Sequence, residues 1–154
     1  AHPLARAFRV DKMTLSAMEA TFFEYLDRMT CRKNIPILRM ITMTAGELQR
    51  KAEALKALLE KETEGFTFQV ETCEDQVGGG SAPGVMLPGY AVSVRSGSIT
   101  EAKIERCLRK AELPVIAHVF RDAVYLNVRT IEEDEYPLIA KALGGAENCD
   151  REEQ

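Results

Sequence analysis

The stretch from Thr44 to Glu71, TAGELQRKAEALKALLEKETEGFTFQVE, changes its hydrophobic period partway along, and that change decides the fold class. Thr44 and Glu47 have the spacing of a capping box, in which each side chain satisfies a backbone N–H at the other's position and starts a helix. Leu48, Ala52, Leu55 and Leu59 then fall on one stripe, with Glu, Lys and Arg around it, as in a helix with one buried face. Gly65 is placed to end that helix. Beyond it Phe66, Phe68 and Val70 alternate with Thr67, Gln69 and Glu71, so the period drops to two and a strand with one face on the core follows.

Reading outward, a glycine- and proline-rich segment from Gln76 to Gly89 separates this strand from a second alternating run, Tyr90, Val92 and Val94. Ser98-Ile99-Thr100-Glu101 has the signature of another capping box, opening a helix with Ile104, Cys107, Leu108 and Ala111 on its inner face and Pro114 at its exit. Val115 to Phe120 and Val124 to Val128 read as a hairpin around Arg121-Asp122-Ala123, whose chemistry is not that of a strong two-residue turn. Leu138, Ile139, Ala142 and Leu143 form a last short helix, with Gly144 beyond its end. Upstream, Asp11 is a candidate N-cap for a helical stretch in which Leu15, Met18, Phe22, Tyr25, Leu26 and Met29 define a face expected to be buried. Ile35-Pro36-Ile37 interrupts that stretch. The chain opens without methionine, which reads as a cut, and Pro3 sits where the first turn of a helix tolerates it.

Helices, two strands, a helix, two strands and a helix give an α+β fold: a mainly antiparallel four-stranded sheet with helices packed on one face. At 154 residues the chain suits one core. Residues 1–146 are expected to form a single domain, and the polar segment 147–154 a disordered tail. No apolar run approaches the roughly 20 residues of a membrane span, and no secretory leader is recognisable. Cys31, Cys73, Cys107 and Cys149 lie far apart, without metal-site spacing, and read as reduced thiols of a cytoplasmic protein. The net charge of -4 is concentrated late: from Thr130 onward eight acids face two bases, whereas the first 129 residues hold 18 bases and 16 acids. No long basic run marks a strong nucleic-acid binder, although a few arginines suffice for limited RNA contact.

Two features stand out as candidate sites. Arg6 and Arg9 are three apart, so on a helix they share a side, and two guanidinium forks suit one tetrahedral anion. A solvated helix face accounts for the same spacing. Gln76, Gly78, Gly79, Gly80 and Ser81 begin a loop whose glycines let backbone N–H groups face an anion, although it matches no nucleotide fingerprint and also reads as a mobile surface connection. His118 alternates in a strand without a triad partner and reads as structural. The acidic run Glu132 to Glu135 suits the N-terminus of the last helix.

The string His2-Pro3-Leu4-Ala5-Arg6-Ala7-Phe8-Arg9-Val10-Asp11-Lys12-Met13-Thr14-Leu15 resembles the segment after the cofactor lysine in bacterial L-seryl-tRNA(Sec) selenium transferases, the selenocysteine synthases. Ile35 to Met40, the loop from Gln76 to Gly84, and Pro114 to Ile116 with Leu126 to Thr130 extend the resemblance over nearly the whole chain. It implies the small C-terminal domain of a fold-type-I enzyme, with pyridoxal 5'-phosphate carried by a lysine upstream of Ala1, so that the chain alone is inactive. The implied reaction converts seryl-tRNA(Sec) to selenocysteinyl-tRNA(Sec) with selenophosphate, in a homo-oligomer without a metal site. Arg6 and Arg9 match the family's donor-holding arginines. Ala117-His118 and Asn127 depart from its usual Gly-Arg and aspartate. A related pyridoxal-phosphate lyase acting on a phosphorylated amino sugar, or a non-catalytic oligomerisation module, are the alternatives.

Overall fold

A computed structural model describes residues 4, 8–78, 82 and 84–146. Contacts divide the chain into two compact units, Ala1–Thr42 and Met43–Gln154. The boundary falls just ahead of the Thr44 capping box. The expected helical start at Pro3 and the expected tail at 147–154 both lie outside the described residues.

The first unit contains helices α1 (Lys12–Glu24), α2 (Cys31–Asn34) and α3 (Pro36–Thr42). Asp11 caps α1 as its sequence position predicts, accepting from the Thr14 N–H at 3.0 Å and the Thr14 hydroxyl at 2.7 Å. The expected burial of its apolar face is not found. No α1 residue is buried, and Leu15, Met18 and Phe22 are exposed, as are Leu26 and Met29 in the turn that follows. Among the described residues of this unit only Cys31 and Ile35 are buried. Each large apolar side chain left in water forgoes roughly 1.5–3 kcal/mol of burial free energy.

The second unit holds α4 (Ala45–Glu62), β1 (Phe66–Gln76), β2 (Met86–Ser96), α5 (Glu101–Lys110), β3 (His118–Phe120), β4 (Ala123–Asn127), a short 3-10 turn (Glu133–Glu135) and α6 (Tyr136–Ala146). The sheet is fully antiparallel in the order β1-β2-β4-β3. Both halves of the Thr44–Glu47 capping box form, and Leu48, Ala52, Leu55 and Leu59 are wholly buried. They join Phe68, Val92, Val94, Val124 and Leu126 of the sheet, Ile104 and Leu108 of α5, and Ile139 and Leu143 of α6 in one core. Helices thus cover one face of the sheet.

Several boundaries differ from the sequence reading. Gln76 and Met86 to Gly89 belong to strands, because β1 and β2 form one long hairpin paired from Phe66↔Ser96 to Gln76↔Met86. Pro88 fits inside β2 because β4 pairs only with Ala91 to Val94, so the missing N–H interrupts no ladder on that side. Thr100, not Ser98, is the N-cap of α5, and it makes no side-chain cap bond. The β3–β4 connection is a tight two-residue turn in which Arg121 (φ 47°) and Asp122 (φ 58°) both take positive φ, while Val115 to Ala117 stay outside β3. Helix α6 runs through Gly144 and Gly145, since Leu143 and Ala146 are both buried and hold its last turn down.

Truncation separates the two kinds of apolar residue. Leu55→Ala should lower unfolding stability in urea by about 2–5 kcal/mol, whereas Leu26→Ala in the 154-residue chain should change it by less than about 0.5 kcal/mol. Equal losses would show that Leu26 is packed in solution.

Candidate functional site

The side chains that alternate away from the helices give the sheet a polar outer face. From β1 these are Glu71, Cys73 and Asp75, from β2 Ala91, Ser93 and Arg95, and from β4 Tyr125 and Asn127, with Arg129 just beyond. All of these but Ser93 and Arg95 floor an open basin of about 1100 Å³, walled by the ends of β1 and β2 and by His118, Phe120 and Arg121 of the β3–β4 hairpin.

Two hydrogen-bonded networks fix this floor. In the first, Asp75 and Arg129 form a buried ion pair, with Nε to Oδ2 at 2.5 Å and side chains only 9% and 8% exposed. Arg129 also donates from Nη2 to the Pro88 carbonyl at 2.7 Å. Asn127 donates through Nδ2 to the other Asp75 oxygen and accepts from the Arg129 backbone N–H at 2.9 Å. Gly89 is required beside this pair, because a Cβ there would come within 2.7 Å of the Asp75 Cγ. A buried charge pair is tolerated only when its remaining bonding capacity is met, and here Asn127 and Pro88 meet it.

In the second network Tyr125 donates its hydroxyl to Glu71 at 2.8 Å, Arg95 reaches Glu71 at 3.3 Å, and Arg95 also donates to Ser93 Oγ at 2.9 Å. Hydrogen bonds from Ser93, Tyr125 and Arg95, with the charge of Arg95, hold the Glu71 carboxyl below its ordinary range, against a burial effect that raises it. The same bond to Glu71 raises the Tyr125 phenol. Burial, reinforced by the Asp75 carboxylate, pushes the Cys73 thiol up to about 12. That thiol is therefore protonated and a poor nucleophile near neutral pH. No lysine lines the basin, and no group of three metal-ligating side chains occurs among the described residues. The floor is a preorganised array of hydrogen-bonding groups.

The candidate residues read from the sequence are placed as follows. Arg9 is exposed and lies outside any helix, one residue past a turn closed by the Phe8 N–H to the Leu4 carbonyl at 3.0 Å. A shared helical face for Arg6 and Arg9 is therefore not seen at Arg9, and Arg6 lies outside the described residues. Gln76 ends β1 and lines the basin; Gly78 follows in the turn with open space where a Cβ would stand. Gly79, Gly80 and Ser81 lie outside the described residues. His118 is exposed at the start of β3 on the basin wall. The outer-face networks were missed in the sequence. Their signal was present as polar residues at every second position, Glu71-x-Cys73-x-Asp75 and Tyr125-x-Asn127-x-Arg129.

The depressed Glu71 carboxyl makes a signed prediction. Its stabilising contribution is complete above the ordinary carboxylate pKa and is lost as pH falls through the lower folded value. Glu71→Gln should therefore reduce the drop in urea midpoint between pH 7 and pH 3, whereas an unchanged drop would remove Glu71 from the acid response.

Comparison with known proteins agrees with this architecture of a partial chain. A family model described as L-seryl-tRNA selenium transferase matches residues 1–132. An L-seryl-tRNA(Sec) selenium transferase of Clostridium perfringens is 41% identical over 140 residues, covering 91% of this chain and 30% of the relative. One from Clostridium botulinum strain Hall is 41% identical over 138 residues, covering 90% of this chain and again 30% of the relative. The chain thus spans about a third of the length of the curated relatives it matches, and it belongs to the L-seryl-tRNA selenium transferase family.

Proposed function

We propose that this chain is the downstream part of a cytoplasmic, homo-oligomeric L-seryl-tRNA(Sec) selenium transferase that converts seryl-tRNA(Sec) to selenocysteinyl-tRNA(Sec) with selenophosphate. The observation that carries this reading is the family match across residues 1–132, joined to 41% identity over nine-tenths of the chain with proteins of that name. The relatives' common name favours it over the lyase and the oligomerisation module.

The cofactor expected of such an enzyme, pyridoxal 5'-phosphate, supplies an electron sink at the amino acid's α-carbon. The described residues of the basin do not fit as its holder, because no lysine lines it; the resemblance implies that the cofactor lysine lies upstream. This chain's share of the chemistry is to hold an anion. Arg9 is an exposed guanidinium in non-helical backbone, and residues 1–42 carry seven Lys or Arg against four Asp or Glu. The later residues have the opposite balance, which supports the first 42 residues as the part that meets an anion. Arg6, three residues away, adds a second fork for the same tetrahedral anion. The loop beginning Gln76, Gly78, Gly79, Gly80 and Ser81 is the second candidate, offering backbone N–H groups.

In the full-length enzyme Arg9→Ala should raise the selenophosphate KM about 10–100-fold, the cost of a charge-assisted hydrogen bond of roughly 1.5–3 kcal/mol, while the cofactor's visible absorbance stays at the wild-type level. Parallel loss of both would make Arg9 structural. The 154-residue chain itself, incubated with pyridoxal 5'-phosphate and reduced with borohydride, should give no stoichiometric adduct at a single lysine; such an adduct would overturn the placement of the cofactor lysine upstream.

A further inference from the structure

Helix α5 separates its charges by side. Ile104, Cys107 and Leu108 form its buried stripe. At about 100° per residue Lys103, Arg106 and Lys110 fall within one arc of about 60° on the Cys107 side of that stripe, while Glu101 and Glu105 stand on the Leu108 side. Arg109 donates through Nε to Glu105 at 2.8 Å, so its charge is committed to the acidic side. Arg106 and Lys110 are exposed and Lys103 is half-buried. Lys110 suits the last turn of the helix. Lys103 lies in the first turn, where the macrodipole opposes a cation and a nearby anion offsets that opposition.

The chain's own acidic end is delivered to this side. Helix α6 runs antiparallel along α5: the Lys141 ammonium meets Glu112 at 2.8 Å, just past the end of α5, and further along α6 the Ala146 carbonyl stands 4.0 Å from the Cys107 Sγ. At its end α6 is therefore beside Cys107 and directed toward Lys103, on the shoulder that carries the cations. The segment that follows holds Glu147, Asp150, Glu152 and Glu153 against the single base Arg151. Residues 147–154 reach roughly 26 Å when extended, and α5 is about 15 Å long, so the segment can span the whole cationic row. We propose that the acidic segment 147–154 docks along Lys103, Arg106 and Lys110 of α5 in the same chain. Single exposed ion pairs contribute little, but here three cations meet four acids as a group. Tethering also gives the segment a roughly millimolar effective concentration, which a separate anion must exceed to displace it. The row is thereby withheld from other polyanions. The inference does not depend on the proposed reaction.

Zero-length carbodiimide coupling, read by peptide mass spectrometry on the full-length enzyme, tests it without substitutions. At about 50 mM salt, where charges act over more than about 10 Å, Lys103 or Lys110 should be joined to at least one of Glu147, Asp150, Glu152 and Glu153. The Lys141–Glu112 pair should couple in the same sample and serves as the control for an intact α5–α6 pair. At about 1 M salt, where screening acts within about 3 Å, the tail couplings should fall at least 5-fold. Coupling of Lys141 to Glu112 without any tail coupling would overturn the proposal and leave the segment in solvent, as its composition alone suggests. Equal coupling of the tail to Lys56 or Lys61 of α4 would overturn it as nonspecific attraction, and a yield unchanged by salt would remove its electrostatic basis. In enzyme assembled from isotopically light and heavy chains, tail couplings that join one light and one heavy peptide would place the segment on a neighbouring subunit and overturn the same-chain assignment.

Discussion

The stripe of α4, Leu48, Ala52, Leu55 and Leu59, meets the inner face of the sheet at Phe68, Val92, Val94 and Leu126, and everything else in the second unit is arranged around that contact. All four helix residues are wholly buried, and the stripe as a whole cannot shift by one position without taking charges into the core, Glu47 and Lys51 one way or Glu53, Lys56 and Glu60 the other. The stripe therefore fixes which side chains of β1 and β2 point inward. Because side chains alternate along a strand, it also fixes which point outward. Asp75 and Glu71 reach the outer face as a consequence of where Phe68 and Val70 must go. Lys51 and Tyr136 extend the constraint past the core: the Lys51 ammonium donates to the Ile131 carbonyl at 2.6 Å and the Tyr136 hydroxyl to the Lys51 carbonyl at 3.3 Å, tying α4 to the segment that leads into α6.

The outer face shows how one sequence departure acquires a physical meaning. Asn127 stands where the resemblance leads one to expect aspartate, and here it both donates to Asp75 and accepts from the Arg129 backbone. An ionised aspartate has no proton to give and would set a second carboxylate against Asp75 beside a single guanidinium. The amide is therefore the group this arrangement needs. Gly89 answers to the same pair, since any side chain would displace the Asp75 carboxylate, and Pro88 offers its carbonyl to Arg129 where no β4 residue reaches it. Two residues that look like loop formers in the sequence are thus consequences of one buried ion pair.

This explains which parts of the structure were legible. Helix α4, β1 and the antiparallel four-stranded sheet were readable because their apolar residues repeat with the period of the element that buries them. The ends of β2 were not, because glycine and proline are read as breakers until the carboxylate beside Gly89 and the guanidinium beside Pro88 are in place. Arg121 and Asp122 gave no turn signal because neither is a residue that favours positive φ as strongly as glycine or asparagine. The continuation of α6 through Gly144 and Gly145 was hidden in the same way, with buried Leu143 and Ala146 outweighing the poor helix propensity of glycine. For the candidate site, residue type and spacing singled out Arg9 only as a candidate, with a solvated face as the other reading, and its non-helical backbone lies ahead of the periodicity that begins at the Asp11 cap.

Arg9 stands close to the start of the first described helix. It precedes the Asp11 N-cap by two residues, and Asp11 is bound through both carboxylate oxygens to Thr14. Those bonds hold the Asp11 carboxyl below its ordinary range, so the cap persists throughout the neutral region. A capped helix has a fixed entry direction, and only the single residue Val10 separates Arg9 from that cap. An exposed guanidinium on a flexible chain would lose rotational and backbone freedom on gripping an anion, whereas one held two residues from a capped helix start has already lost part of it. Under the proposed function, the Asp11 cap thereby lowers the conformational cost of bringing Arg9 to an anion.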